Sequence, residues 1–336
     1  MERIQNIWNE LKKNKNKDES SPFIKRDFRK FDSSSPVYFM IAKSSLTNEC
    51  GILVQSSKDN FLKISEKPMS EYFKLEEYAG TSSDSFLWFH LTKENLYEDR
   101  FEIICSDIIN KSLNALDEKN CILNFVNGIK DWQEFLRQKK NQLSESKLKG
   151  LFAELIFIKE IMIEKCKINA PIKNWKPHEN THDFLIKNIS LEIKSTTSSP
   201  IKKIKVNSLK QFDESLTKCL ILVLIQLKEN EGNSLPDIVD HIRTFLKNES
   251  SENYYLFESK LIKEGYFDEH KSHYQNRKFN PSAYNYFEIR DDFPRLRDKD
   301  LKEMGISGIV DASYEISYNS FENKKISEKK IIELIQ

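Results

Sequence analysis

The sequence predicts an α/β (α+β) protein with a β-rich N-terminal domain, a core in the order αβββαβ, and a C-terminal extension that completes this core. Three observations support this prediction. Short β-rich segments occupy the first hundred residues, an amphipathic helix begins at Ser144, and strands and helices alternate after it. We expect a β-rich domain at 1–100, a helical connection at 101–143, the core at 144–250 and the extension at 251–336.

Three runs in the N-terminal part are typical of strands. They are residues 37–41, 51–54 and 86–91, and Ser, Asn, Asp and Gly residues separate them. Short strand-like runs separated by such turn-forming residues favour an antiparallel sheet. Residues 107–140 carry apolar side chains, Leu116 among them, at intervals that predict a helix.

The core is predicted from its capping residues and its strand-like runs. Ser144 and Glu145 offer an N-cap and an acidic first turn to a helix over 144–166. The following elements are predicted as strands 183–186, 191–195 and 201–206, a short helix 208–214, a buried strand 218–227 and a helix 235–246. A tight turn joins the first two strands, and Asn188 is expected to take its positive φ. Two β-like segments, 284–289 and 309–316, follow in the extension.

Composition sets the broad class of the protein. The 336 residues are 38% hydrophobic, which supports a sizeable core. Lys and Arg (53) nearly balance Asp and Glu (52), so net charge argues neither for nor against nucleic acid. The five cysteines lack metal-site spacing and are expected to be reduced thiols. With neither a signal peptide nor a membrane-length apolar run visible, we expect a cytoplasmic protein.

Acidic and basic side chains fall together on the first two core strands. Because strand side chains alternate, Glu192 and Lys194 point to one face while Leu191 and Ile193 point to the other. A short hairpin brings Asp183 close to both charged residues. Two carboxylates and an ammonium suit a hard divalent cation and phosphodiester hydrolysis.

A third acid lies on the preceding helix. Helical spacing separates Glu154 from the main apolar face and places it among small or apolar residues. An unpaired carboxylate there costs several kcal/mol, and metal coordination would satisfy it. Taken alone, a Glu-x-Lys pair on a strand is more often a solvated face with a cross-strand ion pair. The order of a helical Glu, an Asp and then Glu-x-Lys favours the interpretation of these residues as a nuclease site.

These segments together resemble a bacterial family of PD-(D/E)XK motif proteins in the restriction-endonuclease-like superfamily, found near restriction-modification and other phage-defence components. The matching segments are 149–155, Trp175, 182–184, 191–197, 208–213, 265–266, 293–296 and 305–306. The resemblance covers most of the chain, and the first hundred residues match only in general pattern. His182 stands where the superfamily name has proline, which is often absent.

The resemblance implies a restriction-endonuclease-like core and a reaction. Glu154, Asp183 and Glu192 would bind Mg²⁺, with Mn²⁺ able to substitute, and Lys194 would assist the attacking water. Gln211 falls where some superfamily members place an auxiliary glutamine. The expected substrate is DNA, and the expected protein partners are other defence components such as a methyltransferase or an ATPase/helicase; no membrane is expected.

A basic stretch follows the Glu-x-Lys pair. Lys202, Lys203 and Lys205 would contact phosphates in the functional interpretation. A solvated strand edge protected by lysines explains them equally well. His178 and His182 lack a third ligand at zinc spacing, and no Walker A, Rossmann or GxSxG motif is present.

Two alternatives to an autonomous DNA nuclease stay open. One is a nuclease-fold subunit that is catalytically silent or partner-dependent and binds DNA or proteins in a defence complex. The other is a phosphotransfer or RNA-directed enzyme that uses the same residues, which cleavage of matched DNA and RNA would distinguish.

Overall fold

The fold is that of a computed structural model, which describes residues 4–13, 22–27, 37–57, 73–79, 84–91, 98–113, 115–138, 142–177, 181–290 and 292–336. It divides into two compact units, Met1–Lys140 and Asn141–Gln336. The helices expected to connect the domains belong to the first unit, and residues 251–336 belong to the second. In the part of the chain described, no helix combines the length and apolar character needed to cross a membrane. All five cysteines are free thiols.

The described residues of the first unit form an antiparallel sheet and three helices. Its elements are α1 (Ile4–Lys13), β1 (Phe23–Asp27), β2 (Tyr38–Ser44), β3 (Cys50–Ser57), β4 (Phe73–Ala79), β5 (Asp84–Leu91), α2 (Glu98–Ser112) and α3 (Glu118–Gln138). The five strands lie in the order β1-β2-β3-β5-β4. The N-terminal helix α1 buries Ile4, Ile7, Trp8 and Leu11, whose spacing forms one helical face.

The single helix expected over 107–140 is wrong, because the structure has two helices there. The side chain of Asp117 accepts a hydrogen bond from the backbone N of Asn120 at 2.8 Å, which caps the start of α3. Leu116 lies in the connection and is 99% exposed. A local polar cap therefore overrides the apolar periodicity at this point.

The second unit is built around a mixed sheet. Its elements are α4 (Glu145–Phe157), a π-helical turn (Ile158–Lys165), α5 (Pro171–Asn174), β6 (Phe184–Ile186), β7 (Ile189–Thr196), β8 (Lys203–Val206), β9 (Cys219–Ser234), α6 (Leu235–Glu249), α7 (Ser251–Glu264), α8 (Lys271–Gln275), β10 (Lys278–Glu288), α9 (Asp298–Glu303), β11 (Tyr314–Ser317), β12 (Lys325–Ile326) and α10 (Glu328–Ile335). The central strands lie in the order β12-β10-β9-β7-β6, and β8 pairs with β11 in a separate ribbon. Strands β7 and β9 are parallel, whereas the other pairs are antiparallel.

Strand β9 explains the longest apolar run of the sequence. Its residues Ile221, Val223 and Ile225 enter the core beneath α4 and α6. The alternating residues Leu220, Leu222 and Leu224 enter a second core that β8 and β11 cover. A strand buried on both faces needs an apolar residue at every position, which is why its sequence does not alternate.

Several local predictions differ from the structure. The helix over 144–166 changes to π geometry at Ile158, and the Cys166 N–H donates to the Ile161 carbonyl five residues back. The short helix over 208–214 is wrong: these residues form turns, and one 3₁₀ turn follows at Glu214–Leu216, where Asp213 accepts from Ser215 N. In the β6–β7 turn, Lys187 has φ +55°, and the prediction for Asn188 is wrong.

Candidate active site

One pocket in the second unit collects most of the residues singled out from the sequence. It has a volume of about 430 Å³. The predicted residues that line it are Glu154, Asp183, Glu192, Lys194, Lys203, Lys205 and Gln211. Helix α4, the β6–β7 hairpin, β8 and the turn after β8 supply them. Elements separated by tens of residues therefore meet at one place.

Helix α4 brings Glu154 to the pocket. Ser144 caps the helix by accepting a hydrogen bond from the Lys147 N–H. The apolar residues of α4 enter the core, while Gly150 and Glu154, one turn apart, face the pocket. Nothing lies within 4 Å of where a Cβ on Gly150 would be. The glycine therefore keeps the pocket wall open beside the carboxylate.

The β6–β7 hairpin fixes the other two acids and the lysine. Phe184 pairs with Leu191, so Asp183 lies just before the paired residues and beside Ile193. The Ile193 N–H donates to Asp183 Oδ2 at 2.7 Å. Glu192 and Lys194 leave the same face of β7 and line the pocket. The alternation read from the sequence thus describes the observed strand.

Glu154, Glu192 and Lys194 each have a defined partner in the pocket. The Trp175 indole N–H donates to Glu154 Oε2 at 2.7 Å. Lys194 Nζ lies 2.8 Å from Glu192 Oε1 and donates to Gln211 Oε1 at 2.9 Å. Gln211 Oε1 also accepts from the backbone N–H of Asn207 at 2.9 Å. The ammonium of Lys194 is therefore held between a carboxylate and an amide oxygen.

Burial is the largest cause that raises the pKa values of the three acids, and neighbouring carboxylates add to it. Burial and the nearby Asp183 raise the pKa of Glu192 to about 8, although Lys194 opposes this shift. Burial raises the pKa of Asp183 to about 6, against the hydrogen bond from Ile193. The pKa of Glu154 is well above its usual range because of burial, Asp183 and Glu264. Among the described residues, Lys194 is thus the one lysine whose positive charge lowers the pKa values of both Asp183 and Glu192.

This donor set suits a hard divalent cation. Carboxylate oxygens are the protein ligands that Mg²⁺ prefers. An added positive charge would oppose the burial and the repulsion that raise the three pKa values. Within the described ranges, however, no three His, Cys, Asp or Glu side chains are arranged as a ready set of metal ligands. The residues fit the cation in chemistry, while Asp183 and Glu192 hold hydrogen bonds to the protein.

The predicted basic stretch is divided between two places. Lys203 and Lys205 are exposed on β8 and line the site pocket. Lys203 also forms a 2.6 Å ion pair with Glu315 on the neighbouring strand β11. Lys202 instead lines a second cavity of about 550 Å³ with Tyr318 and Lys325. Strand alternation separates Lys202 from the other two lysines.

Three further residues lie at the site and were not predicted from the sequence to do so. Trp175 bonds Glu154, and its backbone pairs with Phe184, next to Asp183. Glu264, at the end of α7, acts electrostatically on both Glu154 and Asp183. His182 is buried close to the Gln211 backbone, and its Nε2 has no hydrogen-bond partner among the described residues. Only tertiary contacts reveal these roles, although Trp175 and His182 lie within the matched segments of the sequence.

We expect Trp175→Phe to lower the free energy of unfolding by about 1–3 kcal/mol, because Glu154 would stay largely buried without its indole donor. Chemical denaturation measures this loss. The matched control is Glu154→Leu alone and combined with Trp175→Phe. If Trp175→Phe lowers the free energy of unfolding by the same amount in the Glu154→Leu background, then the decrease comes from packing of the indole ring and not from its hydrogen bond.

The helix-borne acid, the hairpin with its Asp and Glu-x-Lys residues, and the mixed sheet define a PD-(D/E)XK-like α+β fold, which confirms the predicted fold class. The chain belongs to the family described as "Putative PD-(D/E)XK family member (DUF4420)", whose model matches residues 4–319. The family match confirms the resemblance seen in the sequence and indicates a nuclease-like fold. Comparisons with curated proteins and with solved structures found no match.

Proposed function

We propose that this protein is a metal-dependent nuclease that hydrolyses phosphodiester bonds in DNA. The observation that carries the proposal is the meeting of Glu154, Asp183 and Glu192 with Lys194 in one pocket. This is the set of groups that phosphodiester hydrolysis uses. Its position beside exposed Lys205 supports a polyanionic substrate, because lysines there would contact phosphates.

The three acids would hold Mg²⁺, or Mn²⁺ in its place. When bound, the ion would supply Lewis-acid activation of the phosphate and lower the pKa of a water. Glu154 is oriented for this by Trp175, and Asp183 by the Ile193 N–H. Both groups are thus restrained before any substrate arrives, which favours precise positioning.

Lys194 would act on the substrate directly. An ammonium has three N–H donors, and Glu192 and Gln211 accept two of them. The third is available for a phosphate oxygen or for the attacking water. A positive charge fixed in a largely buried site stabilises the negative charge that develops on the phosphate. Gln211, tied to the Asn207 backbone, would keep the ammonium in place.

Cleavage of supercoiled plasmid and linear DNA by purified protein in Mg²⁺ or Mn²⁺ tests the proposal. We expect nicking that EDTA abolishes and that Asp183→Asn reduces by at least about 100-fold, since one metal ligand becomes neutral. Asp292→Asn is the control, because Asp292 is exposed and pairs with Lys324 outside the pocket. Cutting that persists in Asp183→Asn would contradict the assignment, and parallel RNA substrates would show whether DNA is preferred.

A second candidate is a nuclease core that becomes active only in a defence complex with proteins such as a methyltransferase or an ATPase/helicase. One observation favours it: Lys194 pairs with Glu192, and no ready ligand set exists among the described residues. Calorimetric titration of the isolated chain with Mn²⁺ separates the two candidates. Stoichiometric binding together with cutting by the isolated chain would contradict partner dependence.

A further inference from the structure

An exposed apolar loop follows helix α9. We define the apolar loop as residues 304–311, all of which are exposed. It carries four large apolar side chains, Met304, Ile306, Ile309 and Val310, which are 68%, 41%, 43% and 94% exposed. Single exposed apolar residues are ordinary, but a group of them on one short segment marks a contact site.

The end of the apolar loop is fixed to the turn that supports the catalytic lysine. Asp311 Oδ1 accepts a hydrogen bond from Leu209 N at 2.9 Å. Two residues later in that turn, Gln211 accepts from Lys194 Nζ. Strand β11 then pairs with β8, so that Glu315 faces Lys205 on the pocket wall. The apolar loop therefore arises beside the site pocket.

Two glycines shape the apolar loop. Gly305 has φ +73° and Gly308 has φ +87°, conformations that other residues rarely adopt. No atom lies within 4 Å of where a Cβ would stand on either glycine. The space beside both glycines is open, and the backbone turns at each of them after Gly305 and Ile306 donate hydrogen bonds to the end of α9. The apolar side chains between and after the glycines are consequently presented to solvent.

The four apolar side chains supply only a small part of the area that a stable protein interface buries. Such an interface buries about 800 Å² on each partner. Aromatic side chains bury about 150–250 Å² each, and the aliphatic side chains here are smaller and already partly covered. Four of them supply well below the required area. They match instead a local wedge, a role in which Ile, Leu and Met enter between stacked bases.

We propose that the apolar loop is a wedge that inserts between adjacent bases of double-stranded DNA beside the pocket. The proposal rests on the proposed nuclease function and specifies a duplex substrate that is locally unstacked. Apolar side chains would contact base faces, while exposed Lys205 and Lys210 at the base of the loop would contact phosphates. The distorted strand would then be presented to Lys194 and the acids.

Fluorescence of 2-aminopurine, which rises when the base loses its stacking partners, tests the wedge. Full-length protein would be mixed, in Ca²⁺ without cleavage, with duplexes that carry the probe at successive positions. We expect a several-fold rise at one or two adjacent positions. The double variant Ile309→Ser/Val310→Ser should lose the rise, whereas Leu46→Ser, which alters an 86% exposed leucine in the first unit, should keep it.

Cleavage in Mg²⁺ provides the second readout. The double variant should cut a fully paired duplex about 10–100-fold more slowly and regain near wild-type rates on a duplex with mismatches at the probed step. Binding and cutting by the wild type without any fluorescence rise, or equal loss on paired and mismatched duplexes, would overturn the wedge and leave the nuclease function standing.

Two other outcomes also decide the proposal. If the double variant differs from the wild type only in losing self-association, measured by sedimentation, the apolar loop joins copies of the chain and the wedge is overturned. If the wild type neither binds nor cuts any DNA, both the wedge and the proposed function fail. Circular dichroism of each variant checks that the exposed substitutions leave the fold intact.

Discussion

Lys194→Ala is expected to lower the rate of DNA cleavage at saturating Mg²⁺ by about 10²–10³-fold, the usual effect of removing one preorganised donor to the developing charge. Lys194 is the charged donor held at 2.8 Å from Glu192 and 2.9 Å from Gln211. Single-turnover cleavage measures the chemical step. DNA binding in Ca²⁺ should change by only a few-fold, because one phosphate contact contributes a small part of backbone affinity.

Lys329→Ala is the matched control for Lys194→Ala. Lys329 is 87% exposed on α10 and lies outside the pocket, so its loss should leave the rate unchanged. Equal loss of binding and of cleavage in Lys194→Ala would show that the lysine holds substrate without acting on the transition state. Unchanged cleavage would remove Lys194 from the mechanism altogether.

Glu192→Gln is expected to stabilise the metal-free protein at pH 8 while abolishing cleavage. The pKa of Glu192 is raised to about 8 from an ordinary value of 4.5, with burial as the largest cause. The folded chain therefore binds this proton more tightly than the unfolded chain. The stability due to this proton is fully present below pH 4.5, is lost as pH rises towards 8 and does not fall further above it.

Glutamine has no proton to lose, so Glu192→Gln should flatten this part of the pH dependence. The increase in the free energy of unfolding, relative to the wild type, should reach a few kcal/mol at pH 8 and be small at pH 5. Unfolding midpoints in urea with EDTA, at both pH values, measure it. Glu333→Gln serves as the control, since Glu333 is 64% exposed. Destabilisation of Glu192→Gln at pH 8 would mean that the Lys194 ion pair outweighs the cost of burying the carboxylate.

The arrangement of the candidate site was predictable from the sequence where it depends on residues close together in the chain. Alternation along β7 places Glu192 and Lys194 on one face, and the hairpin register brings Asp183 beside Ile193. Helical spacing likewise separates Glu154 from the main apolar face of α4. Strand period, helix period and a short turn each act within about ten residues, so sequence patterns record them.

The features of the fold and of the candidate site that the sequence did not predict depend on contacts between distant segments. Strand β8 pairs with β11 more than a hundred residues away and so leaves the central sheet. The Trp175 bond to Glu154 joins a loop to a helix 21 residues earlier, and Glu264 comes from the far end of α7. No local periodicity encodes such pairings. The turn at 208–214 differs from the predicted helix because Gln211 and Leu209 bond to Lys194 and Asp311.

The two outer strands of the central sheet limit how this protein can associate with others. At one edge lies β12 with two residues, and at the other lies β6 with three, where Phe184 already pairs with Trp175. Long unpaired edges are templates for intermolecular strand addition and aggregation. A strand added to β12 or β6 itself would form a ladder of only two or three residues. Strand addition at either outer strand should therefore be weak, and association through side-chain surfaces is favoured there.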